Sequence, residues 1–302
     1  VPFKMPLTCP ECHMMLSKKD TDAEHYCTNP ECGGRILEAI THFASRVAMD
    51  IDGLGEKQIE QLYSIGYLTD ASDIYLLKNY ENGILERFNY DVKLTPWLRE
   101  GITQAALDQA QIGFYPGGDQ ITIPHFDKDG RFVGLRGRTV CAEEGEMFGK
   151  YRPLKINKLL YNHPLGMNLY NFNFSKDNIS LMKKAIIFEG EKSCLLYKSY
   201  FGLENDISVA CCGSSISSHQ MQMLLDAGAE EIIIAFDRQF EEVGDDEFKR
   251  LKTNLIRVRD KYKNFATISF IFDKNMITGY KDSPIDCGPQ VFLQLFKERI
   301  IL

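Results

Sequence analysis

With 302 residues and 44% hydrophobic content, the chain is long enough for two or three domains with cores of their own, and no apolar run approaches the roughly 20 residues of a membrane span. A formal net charge of −7 excludes a surface that attracts polyanions as a whole, so any contact with one has to be local and salt-sensitive. No low-complexity tract or internal repeat interrupts the sequence.

The first element is a cysteine pattern. Cys9-Pro-Glu-Cys12 and Cys27-Thr-Asn-Pro-Glu-Cys32 are two short-spaced pairs separated by fourteen residues, which suits tetrahedral Zn²⁺ held by four thiolates. His13 and His25 lie close enough to replace a ligand, but four cysteines already complete the site. Disulfides are the alternative; with no signal-peptide pattern ahead, and no pairing pattern among Cys141, Cys194, Cys211, Cys212 and Cys287, metal is the favoured reading.

Residues Arg35 to Ala48 have the periodicity of an amphipathic helix, and Asp50 to Ile59 follows. Gly53 and Gly55 bracket Leu54 and permit a tight turn whose amides, at the start of the next helix, face a phosphate. Such a helix-hairpin-helix grips DNA backbone without reading sequence; a plain joint between two packed helices is the bland alternative. The expected linker is Lys78 to Thr95, and the lone Trp97 just beyond it is expected to be packed in a core.

From Gln120 to His125 and from Gly130 to Arg138 two strands are expected, joined by a turn at Asp127-Lys-Asp-Gly130. Arg136 and Arg138 then project from one face, and Lys150, Arg152, Lys155 and Lys158 follow. Between Lys128 and Lys158 eight Lys/Arg stand against four Asp/Glu, so this stretch is basic inside an acidic chain and suits a triphosphate and a template backbone. A solvated charged face remains the alternative.

The last third alternates apolar runs with helical segments. Ala185-Ile-Ile-Phe188 runs into Glu189-Gly190, Glu231-Ile-Ile-Ile-Ala-Phe236 into Asp237, and Ala266 to Phe272 into Asp273, with Lys281-Asp282-Ser283-Pro284-Ile285-Asp286 beyond. Ile207 to Cys211 adds another strand, and helices are expected at 192–200, 217–227, 245–261 and 288–299. This order predicts an α/β fold with a parallel sheet covered by helices. Ligands bind at the carboxyl ends of such strands, so the acids converge there as oxygen ligands for Mg²⁺ or Mn²⁺. Alternatively each acid caps the helix that follows it.

On these residues, 184–302 resembles a Toprim domain, the catalytic fold shared by bacterial-type primases, topoisomerases and some nucleases. The resemblance makes Glu189, Asp237 and Asp282 catalytic, with Asp273 and Asp286 completing the magnesium ligands. The Asp-x-Asp pair of the family reads Asp237-Arg238-Gln239 here, so its second acid is missing; Glu241 or Glu242 is a possible substitute. The ordered matches Gly134-x-Arg136-Gly137-Arg138, Lys150-Tyr151 and Leu169-Tyr170 extend the likeness to phage-type DNA primases over about 90–302, with a basic RNA-polymerase subdomain at 90–180. The resemblance implies that Arg136, Arg138, Lys150, Lys192 and Lys281 bind nucleotide and template, and that the partners are single-stranded DNA, ribonucleoside triphosphates and a replicative helicase in trans, since no Gly-x₄-Gly-Lys-Ser/Thr loop is present. No membrane partner is expected, and the location implied is the cytoplasm of a bacterial host or phage-infected cell.

The first eighty residues resemble a different family. Cys27-Thr-Asn-Pro-x-Cys32, His42-Phe-Ala-Ser-Arg46 and Met49-Asp-Ile-Asp-Gly-Leu-Gly55 are similar to the zinc-finger (1–34) and helix-hairpin-helix (35–80) region of NAD-dependent DNA ligases. The chain lacks the Lys-x-Asp-Gly adenylation motif, so DNA engagement carries over and ligation does not. A Toprim nuclease and a DNA-binding remnant without catalysis are the alternative functions.

Overall fold

A computed structural model describes residues 6–18, 25–51, 54–64, 66, 68–75, 80–88, 90, 94–141, 143, 145, 147 and 149–301. The chain divides into two compact units, Val1–Leu77 and Lys78–Leu302.

In the first unit, β1 (Leu16–Ser17) and β2 (Tyr26–Cys27) pair antiparallel beneath the cysteine turns. Cys32 then stands in extended backbone as the residue before α1 (Gly33–Ala44), whose inner face buries Ile40 and Ala44. The helix stops four residues short of the expected Ala48, because Ser45 turns to extended backbone and donates both its amide and its hydroxyl to the His42 carbonyl, at 3.1 and 2.6 Å. Helix α2 (Glu56–Ser64) packs Ile59 against this core with Leu54, Leu68 and Ile74. Gly55 lies directly before α2, and its carbonyl accepts the Ile59 amide at 3.0 Å. Gly53, the other expected phosphate contact, lies outside the described residues.

The second unit opens with two short helices, α3 (Thr95–Arg99) and α4 (Gln104–Gln109). An antiparallel sheet follows, in the order β3 (Gly113–Tyr115), β4 (Gln120–Phe126), β5 (Phe132–Thr139) and β6 (Tyr151–Pro153). The expected hairpin is β4–β5: Asp127 holds the turn by accepting the Asp129 and Arg131 amides at 2.9 Å, and Gly130 supplies the positive φ of 80°. A small ribbon, β7 (Lys155–Ile156) with β8 (Leu159–Leu160), leads to α5 (Phe172–Met182).

The expected parallel sheet is present. Its order is β10 (Ser208–Ala210), β9 (Lys184–Phe188), β11 (Glu231–Ala235), β12 (Thr267–Phe270) and β13 (Ile300–Ile301). The first four run parallel and β13 antiparallel at the edge. Helices α6 (Glu191–Phe201), α7 (Ser218–Asp226), α8 (Asp246–Tyr262) and α9 (Pro289–Lys297) fall within two residues of the expected spans. Ser217 starts α7 with a reciprocal capping box to Gln220, and Asp245 caps α8 through the Phe248 amide at 2.6 Å. Ile186, Ile187, Phe188, Ile232, Ile233 and Phe270 are buried in one continuous core, as strands covered on both faces require. Trp97 belongs to the same core.

Candidate active site and zinc centre

In the first unit, the Cys9 and Cys32 sulfurs lie 3.8 Å apart and those of Cys12 and Cys27 3.5 Å apart. The four ligand atoms all fall within 4.8 Å of one another. A tetrahedron with Zn–S bonds of about 2.3 Å has edges of roughly 3.8 Å, so the spacing suits zinc. Backbone bonds shape the first knuckle: the Cys9 amide donates to Met14 and the His13 amide to Cys9, at 2.8 and 2.9 Å. The Met14 amide and then Asn29 draw the Cys12 thiol down to about 6. At Cys27 the Asn29 amide is outweighed by burial and the neighbouring thiols, which push that thiol up to about 12, so without a metal the cluster favours a single thiolate, on Cys12. All nine cysteines are free of disulfides, so the alternative pairing is not formed.

In the second unit, Glu189 follows the last residue of β9, and Asp237 stands two residues beyond β11, the strand beside it. Neither caps a helix: Gly190 precedes α6 and gives it no side-chain cap, and α8 is capped by Asp245. Burial raises the Glu189 carboxyl, opposed by a hydrogen bond from Gln239 Nε2 to Glu189 Oε2 at 3.0 Å. Asp237 is pushed up to about 7, first by burial and then by the charges of Glu189 and Asp286. Its Oδ1 is buried without a hydrogen-bond partner. An acid raised by burial and by the charge of its neighbour, with a carboxylate oxygen left unsatisfied, forms a setting that a hard cation would relieve.

Asp282 and Asp286 sit on the loop facing Asp237, and both of their charges act on it. Backbone bonds tie the loops together, the Arg238 amide donating to Asp282 at 3.0 Å and the Lys281 amide to Arg238 at 2.8 Å. The Arg238 side chain adds bonds to the Phe240 and Gly279 carbonyls. Asp282 Oδ2 accepts the Gly279 amide at 2.9 Å, and Asp286 Oδ2 accepts the Ser283 amide at 3.0 Å. Asp273 behaves differently from the expectation. Its Oδ1 takes the Ile277 amide, and its Oδ2 takes the amide and hydroxyl of Thr278, at 2.7–2.9 Å. These bonds consume the carboxylate in folding its own loop and leave it poorly available as an ion ligand. Glu241 and Glu242, weighed as substitutes for Gln239, donate their amides to Asp245 in the turn before α8.

The basic residues divide into held and open groups. Arg136 donates from Nη1 to Glu191 Oε1 at 2.6 Å, with only 14% of its side chain exposed. Arg138 lies over the rings of Trp97 and Tyr151, at 5.7 and 5.9 Å to their centroids, which confirms that it shares a face with Arg136, itself 5.7 Å over Tyr151. Lys192 pairs with Asp286 at 3.0 Å and Glu100 at 2.7 Å, and these partners raise its ammonium to about 12 against the effect of burial. Lys150 and Lys281 are exposed. Glu191 and its second partner His125, at 3.2 Å, are functional candidates that the sequence reading passed over. The only signal available was a second acid in Glu189-Gly190-Glu191.

Residues 8–33 match the NAD-dependent DNA ligase C4 zinc finger domain. The chain is 35% identical over 213 residues to the SPbeta prophage-derived uncharacterized protein YorJ of Bacillus subtilis, covering 68% of this chain and 56% of that protein. It is 47% identical over 87 residues to the DNA ligase of Shouchella clausii, covering 29% of this chain and 13% of the ligase. The chain thus spans about half the length of the prophage relative and a small part of the ligase. Among solved structures, the DnaG primase catalytic domain bound to single-stranded DNA superposes with a TM-score of 0.55 at 17% identity, covering 76% of this chain and 79% of that one. The fold is therefore that of bacterial primase catalytic domains, joined here to a zinc finger of the DNA ligase kind. Both resemblances drawn from the sequence are borne out at this level.

Proposed function

We propose that this chain is a DNA primase that joins ribonucleotides on single-stranded DNA into a short primer. The observation that carries the proposal is Asp237, a half-buried carboxylate whose Oδ1 is buried and unsatisfied beside Glu189, at the carboxyl ends of the central strands of a primase fold. Mg²⁺ or Mn²⁺ bound there would stabilise charge developing on the α-phosphate and lower the pKa of the attacking primer hydroxyl. Glu189, Asp237 and Asp282, with Asp286, are the residues that would hold it in this Toprim-type site. Gln239 stands where the family carries an acid, and it orients Glu189 by its hydrogen bond. Arg136, Arg138 and Lys150 supply positive charge to triphosphate and template, while Lys192 and Lys281 screen phosphate near the acids. The zinc finger and the turn at Gly55 add a grip on DNA backbone, and a replicative helicase acts in trans in the bacterial or phage-infected cytoplasm. Among the described residues no helix is long and apolar enough to cross a membrane.

The test is incubation of the chain with single-stranded DNA, labelled ribonucleotides and Mg²⁺. Short RNA products support the proposal. Shortened DNA points to a metal-dependent nuclease, the second reading, since the same acids can direct water at a phosphodiester. Neither product would leave a DNA-binding protein without catalysis.

A further inference from the structure

Glu191 is the first residue of α6, two residues after Glu189, yet its surroundings are unlike those of the acid cluster. Its side chain is 2% exposed, and one oxygen, Oε1, meets both Arg136 Nη1 at 2.6 Å and His125 Nε2 at 3.2 Å. His125 is itself 1% exposed, and burial disfavours its charged form, so the neutral ring offers an N–H while Arg136 supplies the countercharge. Tyr151 covers the guanidinium at 5.7 Å to its ring centroid, and the Cys212 thiol lies against it as well. An arginine carries five N–H donors in a rigid fork, so the bond to Glu191 leaves others for a phosphate. The Cα atoms of residues 189 and 191 lie no more than about 7.6 Å apart, so the residue that holds Arg136 is a close chain neighbour of the acid cluster.

We infer that Glu191 is a positioning residue: through its buried ion pair it locks Arg136 in the place where the guanidinium meets the triphosphate of the incoming nucleotide. This rests on the nucleotidyl-transfer reading above and adds to it a residue that touches neither metal nor substrate. Stability gives little reason for such a pair, because buried ion pairs are often replaced by apolar residues of similar volume without loss. Fixing a long, rotamer-rich side chain before the nucleotide arrives lowers the ordering cost of binding instead. The expected signature is on nucleotide affinity, with the acid cluster left intact.

The experiment measures KM and kcat for ribonucleotides, the Kd of a nucleoside triphosphate with Mn²⁺ by calorimetry, and Mn²⁺ binding without nucleotide by electron paramagnetic resonance. Glu191→Gln should raise KM and Kd about tenfold, leave kcat within about threefold, and leave Mn²⁺ binding unchanged. Adding Arg136→Gln should cost no more than Arg136→Gln alone, since both act through one guanidinium. Should Glu191→Gln fail to fold, the double change Glu191→Leu with Arg136→Met removes both charges together and should fold with the same loss of nucleotide affinity. A folded Leu/Met variant with wild-type Kd, multiplying effects of the single changes, or a wild-type chain that binds no triphosphate overturns the inference. A wild-type chain that binds triphosphate but makes no primer defeats the primase reading, while the Kd comparison still decides the role of Glu191.

Discussion

Strand β11 carries an acid near each end, and the two are treated in opposite ways. At its amino end Glu231 receives Arg299 Nε at 2.8 Å, Lys184 Nζ at 3.0 Å and the Ser269 hydroxyl at 2.8 Å. Burial alone would raise this carboxyl, but these partners bring it down to about 2. Two residues past the carboxyl end, Asp237 is raised to about 7 with one oxygen unsatisfied. The first acid is finished by the fold, whereas the second waits for something the fold does not contain. Electrostatic satisfaction thus distinguishes an acid that stabilises the sheet from one kept for binding.

The same contrast extends to the thiols of the first unit, where the largest effect is expected. Four sulfurs within 4.8 Å of one another are set for one zinc ion, which would supply much of the folding free energy of the finger. Chelation, or any one of Cys9, Cys12, Cys27 and Cys32 changed to Ser, should release one zinc per chain and unfold the first domain, as elemental analysis and circular dichroism would report. A zinc-free chain whose finger stays folded would break the analogy.

At the two ends of β11 the effects should be opposite in kind. Asp237→Asn and Glu189→Gln should each cut primer synthesis by at least ~10²-fold while leaving the melting temperature unchanged or higher, because a repulsive charge is removed. Glu231→Gln should cost about 3 kcal/mol, roughly 10 °C in a unit of this size, with kcat untouched. Equal effects of the two substitutions on activity would erase the distinction.

The pH dependence sharpens it further. Asp237 has its folded pKa at about 7 against an ordinary 3.8, so it holds its proton in the fold after the unfolded chain has released one. Stability from this group therefore falls as pH rises from about 4 to 7. Glu231, lowered from 4.5 to about 2, contributes stability above 4.5 that is lost as pH falls toward 2. Thermal melts in metal-free buffer should show the upper slope in the wild type and not in Asp237→Asn, and a slope that persists in the variant would assign it to another group. The smallest effect concerns the open lysines. Lys150→Ala with Lys281→Ala should weaken DNA binding and reduce its salt slope by about one per lost phosphate contact, with stability changed by less than about 0.5 kcal/mol.

Much of this was legible in the residues. The strand order, the four flanking helices, the β4–β5 hairpin and the zinc ligands follow from short-range patterns: apolar runs, turn glycines and cysteine spacing. The fate of individual carboxylates did not. Asp273 ends a strand just as Asp237 does, but only the folded loop shows the amides of Ile277 and Thr278 turning onto it. Glu191 and Arg136 stand 55 positions apart in sequence, and no local pattern pairs them. Trp97 was expected in the core and is there, but its stacking under Arg138 depends on β5, some forty residues on. Helix α1 was read too long because Ser45 ends it with a hydroxyl-to-carbonyl bond that composition does not announce.

The ladder between the Asp237 and Asp282 loops has a consequence for how this region evolves and exchanges with solvent. It is built from the amides of Arg238 and Lys281, so the backbone bonds keep the acids together whatever the two side chains contact. Proline at either position would remove a donor and part the loops. Lys281 adopts a φ of 63°, so glycine there should relax the backbone without breaking the tie. In deuterated water the two amides should exchange together, as one latch that opens for both loops at once.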